Sequence, residues 1–296
     1  MRHDMPSARP PADLVRAAEA YLAEEQPDDG PLWQPLTGGR TNRLWQVGQK
    51  VVKLYDPAQE TPLFPNDPGA EFSAMTTLCD AGLAPRPVAR ITGEFGVALI
   101  YHYLQGATGH GDMAALARML HRVHSAPPPP GLRRLPGGSR EILAQTDALM
   151  TLLPKPHAGL AELRKRLNTR DEIAPGPSVL IHADPVSANI VTTDPGPMLI
   201  DWQCPALGDP CEDLAIILSP SMQRAYGALL DPAQAAELLS AYPDAESCRR
   251  YQRLAPFYHV RMAAYAQWSL ENGRATGAEG VEEDLDAARK ALTDGA

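Results

Sequence analysis

The fold is decided by two short segments, IHADPVSANIV at residues 181–191 and IDW at residues 200–202. They carry three side chains with oxygens that can bind a metal or accept a proton: Asp184, Asn189 and Asp201. Apolar residues on both sides of the Asp-Pro-Gly between the segments predict a strand, a turn and a second strand. Because a hairpin brings its two ends together, we expect Asn189 and Asp201 to meet at one end of the ribbon, with Asp184 on the loop that leads into it.

These oxygens suit phosphoryl transfer, which needs Mg²⁺ against the phosphates and a base aligned on the attacking hydroxyl. Mg²⁺ takes hard oxygen ligands, and an Asn and an Asp provide them. The spacing Asp-x-x-x-x-Asn, then a hairpin and a second Asp, is typical of the catalytic loop and metal aspartate of kinases. The alternative is a polar loop and an Asp that caps a strand. However, Asp201 follows an apolar run and precedes Trp202, and a half-buried carboxylate there needs a cation.

Two neighbouring motifs have structural interpretations. His182 stands beside the apolar run 179–181, and we expect it to brace the loop by hydrogen bonding rather than to act as a ligand or base. In GDPCE at residues 208–212, we expect Asp209 to be a helix N-cap and Glu212 its reciprocal capping partner.

The composition limits the class of protein. With 296 residues, 44% of them apolar and 21% charged, the chain can form one large domain or two lobes. No apolar run is long enough to cross a bilayer, and no secretory signal is visible in residues 1–30. The four cysteines lack the spacing of a metal finger, so we interpret them as ordinary reduced thiols. We therefore expect a cytoplasmic protein without a membrane partner. The net charge of −9 argues against a nucleic-acid partner and is compatible with a cationic substrate.

The amino-terminal part has features of a nucleotide-phosphate site. The small residues of GGRTN at 38–42 precede a predicted hairpin, and such a loop lets backbone amides approach phosphate oxygens, although a tight turn is the alternative. Lys53 lies inside the second strand between apolar neighbours. Glu71 lies on a helical stripe completed by Ala74, Met75 and Leu78. A Lys–Glu pair between a strand and the next helix aims the lysine at nucleotide phosphates.

Residues 96–104 predict a buried strand that ends near Gly106. In a two-lobed kinase the chain crosses between the lobes here, and backbone groups near Tyr101 to Tyr103 would meet the adenine. The alternative is a plain core strand. The residues that we expect to bind the nucleotide are therefore Gly38, Gly39, Thr41, Asn42, Lys53, Glu71, Tyr101 and Tyr103.

Taken in order, these residues resemble the aminoglycoside phosphotransferase and choline/ethanolamine kinase family, which has the protein-kinase-like fold. The resemblance runs from about Leu36 to Trp268 and also includes GLAP at 82–85, YLQG at 103–106, the helix 116–124 and GDPCEDLA at 208–215. It implies an α+β, bilobal fold with a small β-rich N-lobe carrying one main helix and a larger, mostly helical C-lobe. The expected boundaries are 1–30 for an N-terminal helical extension, 31–103 for the N-lobe and 104–296 for the C-lobe.

The resemblance also implies ATP and Mg²⁺ as cofactors, with Asp184 as the catalytic base and Asn189 and Asp201 on the metal. Lys53 would contact the nucleotide phosphates and Glu71 would hold it. This chain has Val186 and Ala188 where the family often has His and Gly, and Gln203 where Glu or Asp is common. These departures leave the base and the metal ligands intact, and they alter how the loop approaches the acceptor.

The carboxy-terminal helices would supply the acceptor site. Aromatic and acidic residues recur there at helical spacing, and aromatic rings can hold a quaternary ammonium by cation–π attraction. The candidates are Tyr258, Tyr265, Trp268 and Glu271. The alternative is the core stripe of a long helix, which would also include Met262.

The sequence therefore predicts an ATP- and Mg²⁺-dependent kinase that phosphorylates a hydroxyl of a small molecule. A cationic alcohol of the choline, ethanolamine, thiamine or aminoglycoside kind is favoured as the acceptor. One alternative is a non-catalytic nucleotide-binding module on the same fold, but such a module has no need of Asp184. A protein Ser/Thr kinase is disfavoured, because Trp202 and Gln203 follow Asp201 in place of Phe-Gly. The oligomeric state and the choice between ATP and GTP are left open.

Overall fold

The computed structural model describes residues 9–23, 32–36, 41–135, 137–274 and 277–294. The chain divides into two compact units. Unit 1 comprises Met1–Gly106 with Met198–Cys204, and unit 2 comprises Ala107–Pro197 with Pro205–Ala296. Within the described ranges, no helix combines the length and the apolar character needed to span a membrane.

Unit 1 contains, within its described residues, a five-stranded antiparallel sheet with the spatial order β1-β2-β3-β5-β4. The strands are β1 (Gln34–Pro35), β2 (Arg43–Val47), β3 (Lys50–Leu54), β4 (Pro87–Gly93) and β5 (Gly96–His102). The predicted hairpin is present, with Val47 opposite Lys50 across the β2–β3 pair. Gly48 has the positive φ of 56° that this tight turn requires.

Two α-helices lie in the described part of unit 1. Helix α1 (Ala12–Leu22) falls within the segment expected to be a helical extension, and it buries Leu14, Ala18 and Leu22 in one core with the sheet. Helix α2 (Pro68–Leu78) begins at Asp67, whose side chain accepts hydrogen bonds from the backbone N–H groups of Gly69 and Ala70. The face predicted to be buried is buried, and it consists of Glu71, Ala74, Met75 and Leu78.

Unit 2 is mostly helical. Its helices are α3 (Met113–His124), α4 (Ser139–Thr151), α5 (Ala158–Leu167), α6 (Cys211–Leu218), α7 (Pro220–Arg224), α8 (Pro232–Ala241), α9 (Ala245–Glu271) and α10 (Glu279–Asp294). Helix α9 forms the centre of the packing, with α4, α5, α6 and α10 against it. The predicted α+β fold class, with a β-rich unit and a mostly helical unit, is thus confirmed.

Short strands frame the loop that carries the predicted catalytic residues. They are β6 (Ala107–Thr108), β7 (Arg133–Arg134), β8 (Val179–Ile181), β9 (Ile190–Thr193), β10 (Gly196–Leu199) and β11 (Ala206–Gly208). β8 leads into the loop and β9 leaves it, while β6 pairs with β9 and β11 pairs with β8. The predicted hairpin is present as β9 and β10, with a tighter turn than expected because Gly196 already belongs to β10.

Candidate active site

The loop after β8 is fixed at its start by a buried carboxylate from α6. Asp213 accepts hydrogen bonds from the backbone N–H groups of His182, at 2.9 Å, and Ala183, at 2.7 Å. Ala183 has a φ of 65°, a left-handed conformation that costs energy for a residue other than glycine. The hydrogen bonds to Asp213 stabilise this strained turn directly before Asp184.

Asp213 is itself held ionised. The imidazole of His124 lies 3.0 Å from its Oδ2 through Nε2, and the other ring nitrogen of His124 lies 2.6 Å from the hydroxyl of Tyr242. Burial alone would raise the pKa of Asp213. The hydrogen bond and charge of His124, together with the backbone N–H of His182, outweigh burial and lower that pKa below its ordinary value. A charged acceptor of this kind makes stronger hydrogen bonds to the loop than a neutral one would.

The predicted base and one predicted metal ligand lie side by side. The Nδ2 group of Asn189 donates to the backbone carbonyl of Asp184 at 2.9 Å and lies 3.5 Å from the Asp184 carboxylate. A turn closed by hydrogen bonds from Val186 N–H to the Asp184 carbonyl and from Asn189 N–H to the Val186 carbonyl brings them together. Because Nδ2 of Asn189 donates to the backbone of Asp184, the amide oxygen Oδ1 of Asn189 is the atom suited to bind a cation.

His182 braces the loop as predicted. Its side chain is fully buried, and its Nδ1 accepts a hydrogen bond from the backbone N–H of Asp184 at 3.2 Å.

In unit 1, Lys53 lies between two carboxylates. Its Nζ is 2.6 Å from Oε2 of Glu71, so the predicted pair is present, and it also forms an ion pair with Asp201. Burial opposes the charge on Lys53, but Asp201 and Glu71 together attract the ammonium more strongly, so the pKa of Lys53 is raised above its ordinary value. The hydroxyl of Tyr55 donates to the same oxygen of Glu71. The lysine is thereby charged and held on the buried face of the sheet.

The backbone of Asp201 adopts a left-handed conformation. Its φ is 61°, which is unusual for a residue other than glycine and is typical of functional sites. Its side chain is 26% exposed, in agreement with the predicted half-buried carboxylate. The next residue anchors the segment, because Trp202 is fully buried and its indole N–H donates to the Leu199 carbonyl at 3.0 Å. Asn189 lies in unit 2 and Asp201 in unit 1, and their joint role on a metal stays a prediction.

Of the glycine-rich segment, Gly38 and Gly39 lie outside the described residues. Thr41 and Asn42 hydrogen-bond to the side chain of Gln203, at 3.3 Å and 2.9 Å. Asn42 is 2% exposed and also exchanges hydrogen bonds with the amide of Asn66. The Asn42 side chain therefore holds the base of the segment, and a contact of Asn42 with a nucleotide stays a prediction.

Backbone groups of the segment expected to meet adenine are already in use, and the N–H of His102 donates to the carbonyl of Arg86 at 2.9 Å. The N–H of Tyr103 donates to the carbonyl of Gln49 at 2.8 Å, and the side chain of Tyr101 is buried in the sheet. An adenine contact through the Tyr103 N–H would require that hydrogen bond to break.

The predicted acceptor residues occupy different environments along α9. Tyr258 is buried in unit 2 and stacks on Tyr251, so the core-stripe alternative describes it, as it describes the buried Met262. Tyr265 and Trp268 are half-buried and stack with a centroid separation of 5.8 Å. The guanidinium of Arg274 already lies 5.6 Å from the centroid of the Trp268 ring. Glu271 is exposed and accepts a hydrogen bond from Gln267.

The expected capping role of Glu212 is wrong. Its carboxylate forms a buried ion pair with Arg261 at 2.6 Å, and the N-cap position of α6 is Pro210. Asp209 does accept a hydrogen bond from the Cys211 N–H at 3.0 Å, and its other oxygen pairs with Arg250. A buried guanidinium on α9 attracts the Glu212 carboxylate more strongly than a backbone N–H at the start of its own helix.

Sequence reasoning missed three residues that hold the loops in place: His124, Asp213 and Gln203. Asp213 lies inside the quoted motif GDPCEDLA, directly before an apolar run, and an Asp at such a position is a signal for a buried partner. Nothing in the spacing of the sequence indicates that the partners are the backbone N–H groups of residues 182 and 183.

Comparisons with known proteins agree with this architecture. A family model described as the phosphotransferase enzyme family matches residues 32–257. No curated protein matches the chain by sequence.

Several solved structures share the fold. Choline kinase LicA from Streptococcus pneumoniae aligns over 96% of this chain and 100% of its own, with 18% identity and a TM-score of 0.62. A choline/ethanolamine kinase family protein from Mesorhizobium loti aligns over 95% of this chain and 94% of its own, with 17% identity and a TM-score of 0.67. Spectinomycin phosphotransferase, solved with ADP and spectinomycin, aligns over 96% of this chain and 95% of its own, with 14% identity and a TM-score of 0.57.

At these identities the solved structures establish the fold, while the family model spans most of the chain, from the segment before β1 into α9. The chain belongs to the phosphotransferase enzyme family.

Proposed function

We propose that this protein transfers the γ-phosphoryl group of ATP to a hydroxyl of a small molecule in an Mg²⁺-dependent reaction. The observation that carries the proposal is the buried Lys53 ammonium held between Glu71 and Asp201. A buried lysine at that position has no structural need for two carboxylates, since one already compensates its charge. The second carboxylate is what a metal-bound nucleotide would use.

The residues present fit a magnesium ion. Asn189 offers a carboxamide oxygen and Asp201 a carboxylate, and both are hard donors of the kind that Mg²⁺ prefers. When bound, Mg²⁺ would neutralise charge on the phosphates and orient the transferring group. The chain supplies no cysteine or histidine in this donor set, which disfavours zinc and other softer metals.

Asp184 is the base in this proposal. Its side chain is 9% exposed, and the Nδ2 group of Asn189 lies 3.5 Å from its Oδ2. The Asp184 carboxylate would accept the proton of the acceptor hydroxyl as the oxygen attacks the phosphorus. Lys53, whose raised pKa keeps it charged, would pair with phosphate oxygens and stabilise the negative charge of the transferring group.

The acceptor is proposed to be a cationic alcohol. The net charge of −9 attracts cations in general. The stacked rings of Tyr265 and Trp268 form an aromatic surface that a cation already approaches, because the Arg274 guanidinium lies over Trp268. A substrate ammonium could take the place of Arg274 there. The names of the choline kinase and the spectinomycin phosphotransferase with the same fold fit this class of acceptor.

An acceptor screen tests the proposal. ADP release would be followed with ATP and Mg²⁺ in the presence of choline, ethanolamine, thiamine, simple sugars or aminoglycosides. We expect release with at least one cationic alcohol and loss of that release when Mg²⁺ is chelated. If the protein binds Mg·ATP and releases no ADP with any acceptor, the non-catalytic nucleotide-binding module becomes the better description.

A further inference from the structure

A buried glutamine on α7 contacts the loop that carries Asp184 and Asn189. Gln223 is 1% exposed, and each of its polar atoms is used. Its Oε1 accepts a hydrogen bond from the backbone N–H of Ser187 at 3.3 Å and lies 2.9 Å from Nε2 of His110. Its Nε2 donates to the carbonyl of Ile216 at 3.1 Å.

These partners define the orientation of the amide. The Ile216 carbonyl can only accept and the Ser187 N–H can only donate. A flipped amide would place two acceptors together at Ile216 and two donors together at Ser187. The orientation also requires His110 to carry its proton on Nε2, since Oε1 of Gln223 has no proton to give.

The Ser187 contact lies at a point where the loop needs an acceptor. Ser187 begins a short 3-10 turn that ends at Asn189, and the first N–H groups of a helical turn have no partner inside it. On the far side of Asn189, the carbonyl of Ile190 accepts a hydrogen bond from Gly109, the residue before His110. The turn that presents Asn189 is therefore held on both sides.

Helix α7, which carries Gln223, is itself held in place by hydrogen bonds to a neighbouring helix. Its first turn is fixed by Asp284 of α10, whose Oδ2 accepts from the Ser219 hydroxyl at 3.0 Å and from the Ser221 N–H at 3.2 Å. The other oxygen of Asp284 lies 2.8 Å from Nδ1 of His259 on α9. Asp284 is fully buried, so these interactions are not weakened by water.

We propose that Gln223 is a positioning residue that holds Asn189 in the orientation needed to bind Mg²⁺. It acts through the Ser187 N–H, and His110 completes its hydrogen bonding. The inference rests on the proposed function, because it assigns Asn189 to the metal. Groups that orient metal ligands commonly change metal affinity by about 10- to 100-fold when they are removed.

The test compares the Gln223→Met and Gln223→Glu variants with the wild type. Met keeps the volume and loses every hydrogen bond, whereas Glu keeps an acceptor for Ser187 and loses the donor to Ile216. The matched control is Thr146→Val, which removes a buried hydrogen bond to the Ile142 carbonyl elsewhere in unit 2. ADP binding is measured by calorimetry with and without Mg²⁺, and exchange of the Ser187 amide proton with deuterium is measured for each protein.

We expect Gln223→Met to weaken Mg²⁺-dependent ADP binding about 10-fold and to leave Mg²⁺-free binding unchanged. Exchange at Ser187 should accelerate, and Gln223→Glu should stay closer to the wild type than the Met variant does. Unchanged Mg²⁺-dependent binding in Gln223→Met, or an equal loss in Thr146→Val, overturns the inference. If the ADP affinity of the wild type does not depend on Mg²⁺, the proposed metal site is wrong instead. In that case the exchange measurement still tests the contact between Gln223 and Ser187, because Ser187 exchange in Gln223→Met that is as slow as in the wild type would contradict it.

Discussion

Lys53 and Glu71 form an ion pair of 2.6 Å although their side chains are only 1% and 0% exposed. Two charges removed from water in this way are costly unless each is well compensated. Asp201 supplies a second negative charge to Lys53, and the Tyr55 hydroxyl supplies a hydrogen bond to Glu71. Both carboxylates contact the ammonium group of Lys53, so the cluster contains one carboxylate more than the lysine needs to compensate its charge.

Replacing Lys53 by Met should destabilise unit 1 by about 3 to 5 kcal/mol, because it leaves two carboxylates close together without a cation. Burial and the neighbouring Asp201 already raise the pKa of Glu71, with Lys53 opposing them. Without Lys53 that pKa rises further, so Glu71 takes up a proton as the pH falls. The stability of Lys53→Met should thus move closer to that of the wild type as the pH is lowered from neutral, as measured by urea unfolding.

Lys50→Met is the matched control, since Lys50 lies on the same strand and donates to the Tyr21 carbonyl. We expect a loss of about 1 kcal/mol for the hydrogen bond to the Tyr21 carbonyl, well below the loss in Lys53→Met. Equal losses in the two variants would contradict the assigned role of the Lys53 cluster.

Gln203 joins two parts of the proposed nucleotide site. Its side-chain oxygen accepts hydrogen bonds from Thr41 and Asn42. Its backbone carbonyl accepts a hydrogen bond from the N–H of Asp67, the N-cap of the helix that carries Glu71. Gln203→Leu should cost about 2 kcal/mol, because it leaves buried donors without their acceptor. Calorimetry should also show weaker ADP binding.

Gln46→Leu serves as the comparison for Gln203→Leu, because Gln46 makes an exposed hydrogen bond to Gly48 in the same unit. The free energy of unfolding of Gln46→Leu should stay within about 0.5 kcal/mol of the wild-type value. If the two leucine variants unfold at the same denaturant concentration, the linking role of Gln203 is wrong.

His110 should make stability depend on pH. Burial lowers its pKa, and the hydrogen bond to Gln223 only partly offsets that effect. The unfolded chain therefore takes up a proton at a higher pH than the folded protein does. Stability from neutral His110 is complete above about pH 6.5 and declines as the pH falls below that value. In His110→Gln the decline should be shallower, and parallel curves of unfolding free energy against pH would contradict the assignment.

Local patterns were sufficient to predict much of unit 1. The hairpin of β2 and β3, the buried face of α2 and the pairing of Lys53 with Glu71 all follow from periodicity and from residue types over short chain distances. The brace formed by His182 also depends on neighbouring residues only.

The remaining contacts depend on packing between distant segments. Glu212 has the spacing of a capping partner, yet the buried Arg261 on α9 takes its carboxylate. Asp213 accepts hydrogen bonds from backbone groups that precede it by about thirty residues, and Gln203 accepts one from the side chain of Asn42. Tyr258 and Trp268 share one helix, and only the packing around α9 decides that the first is in the core and the second is partly exposed. No spacing rule encodes such partners, because they are chosen by the tertiary structure.

The central claim is that Asp184 accepts the proton of the acceptor hydroxyl, and Asp184→Asn tests it most directly. The amide preserves the size of the side chain and removes the basic oxygen, so turnover with ATP, Mg²⁺ and an accepted alcohol should fall by about 10²- to 10⁴-fold. ADP binding in the presence of Mg²⁺, measured by calorimetry on the same preparation, should stay within about threefold of the wild type, a shift of less than about 0.7 kcal/mol. Turnover that survives the substitution would contradict the account.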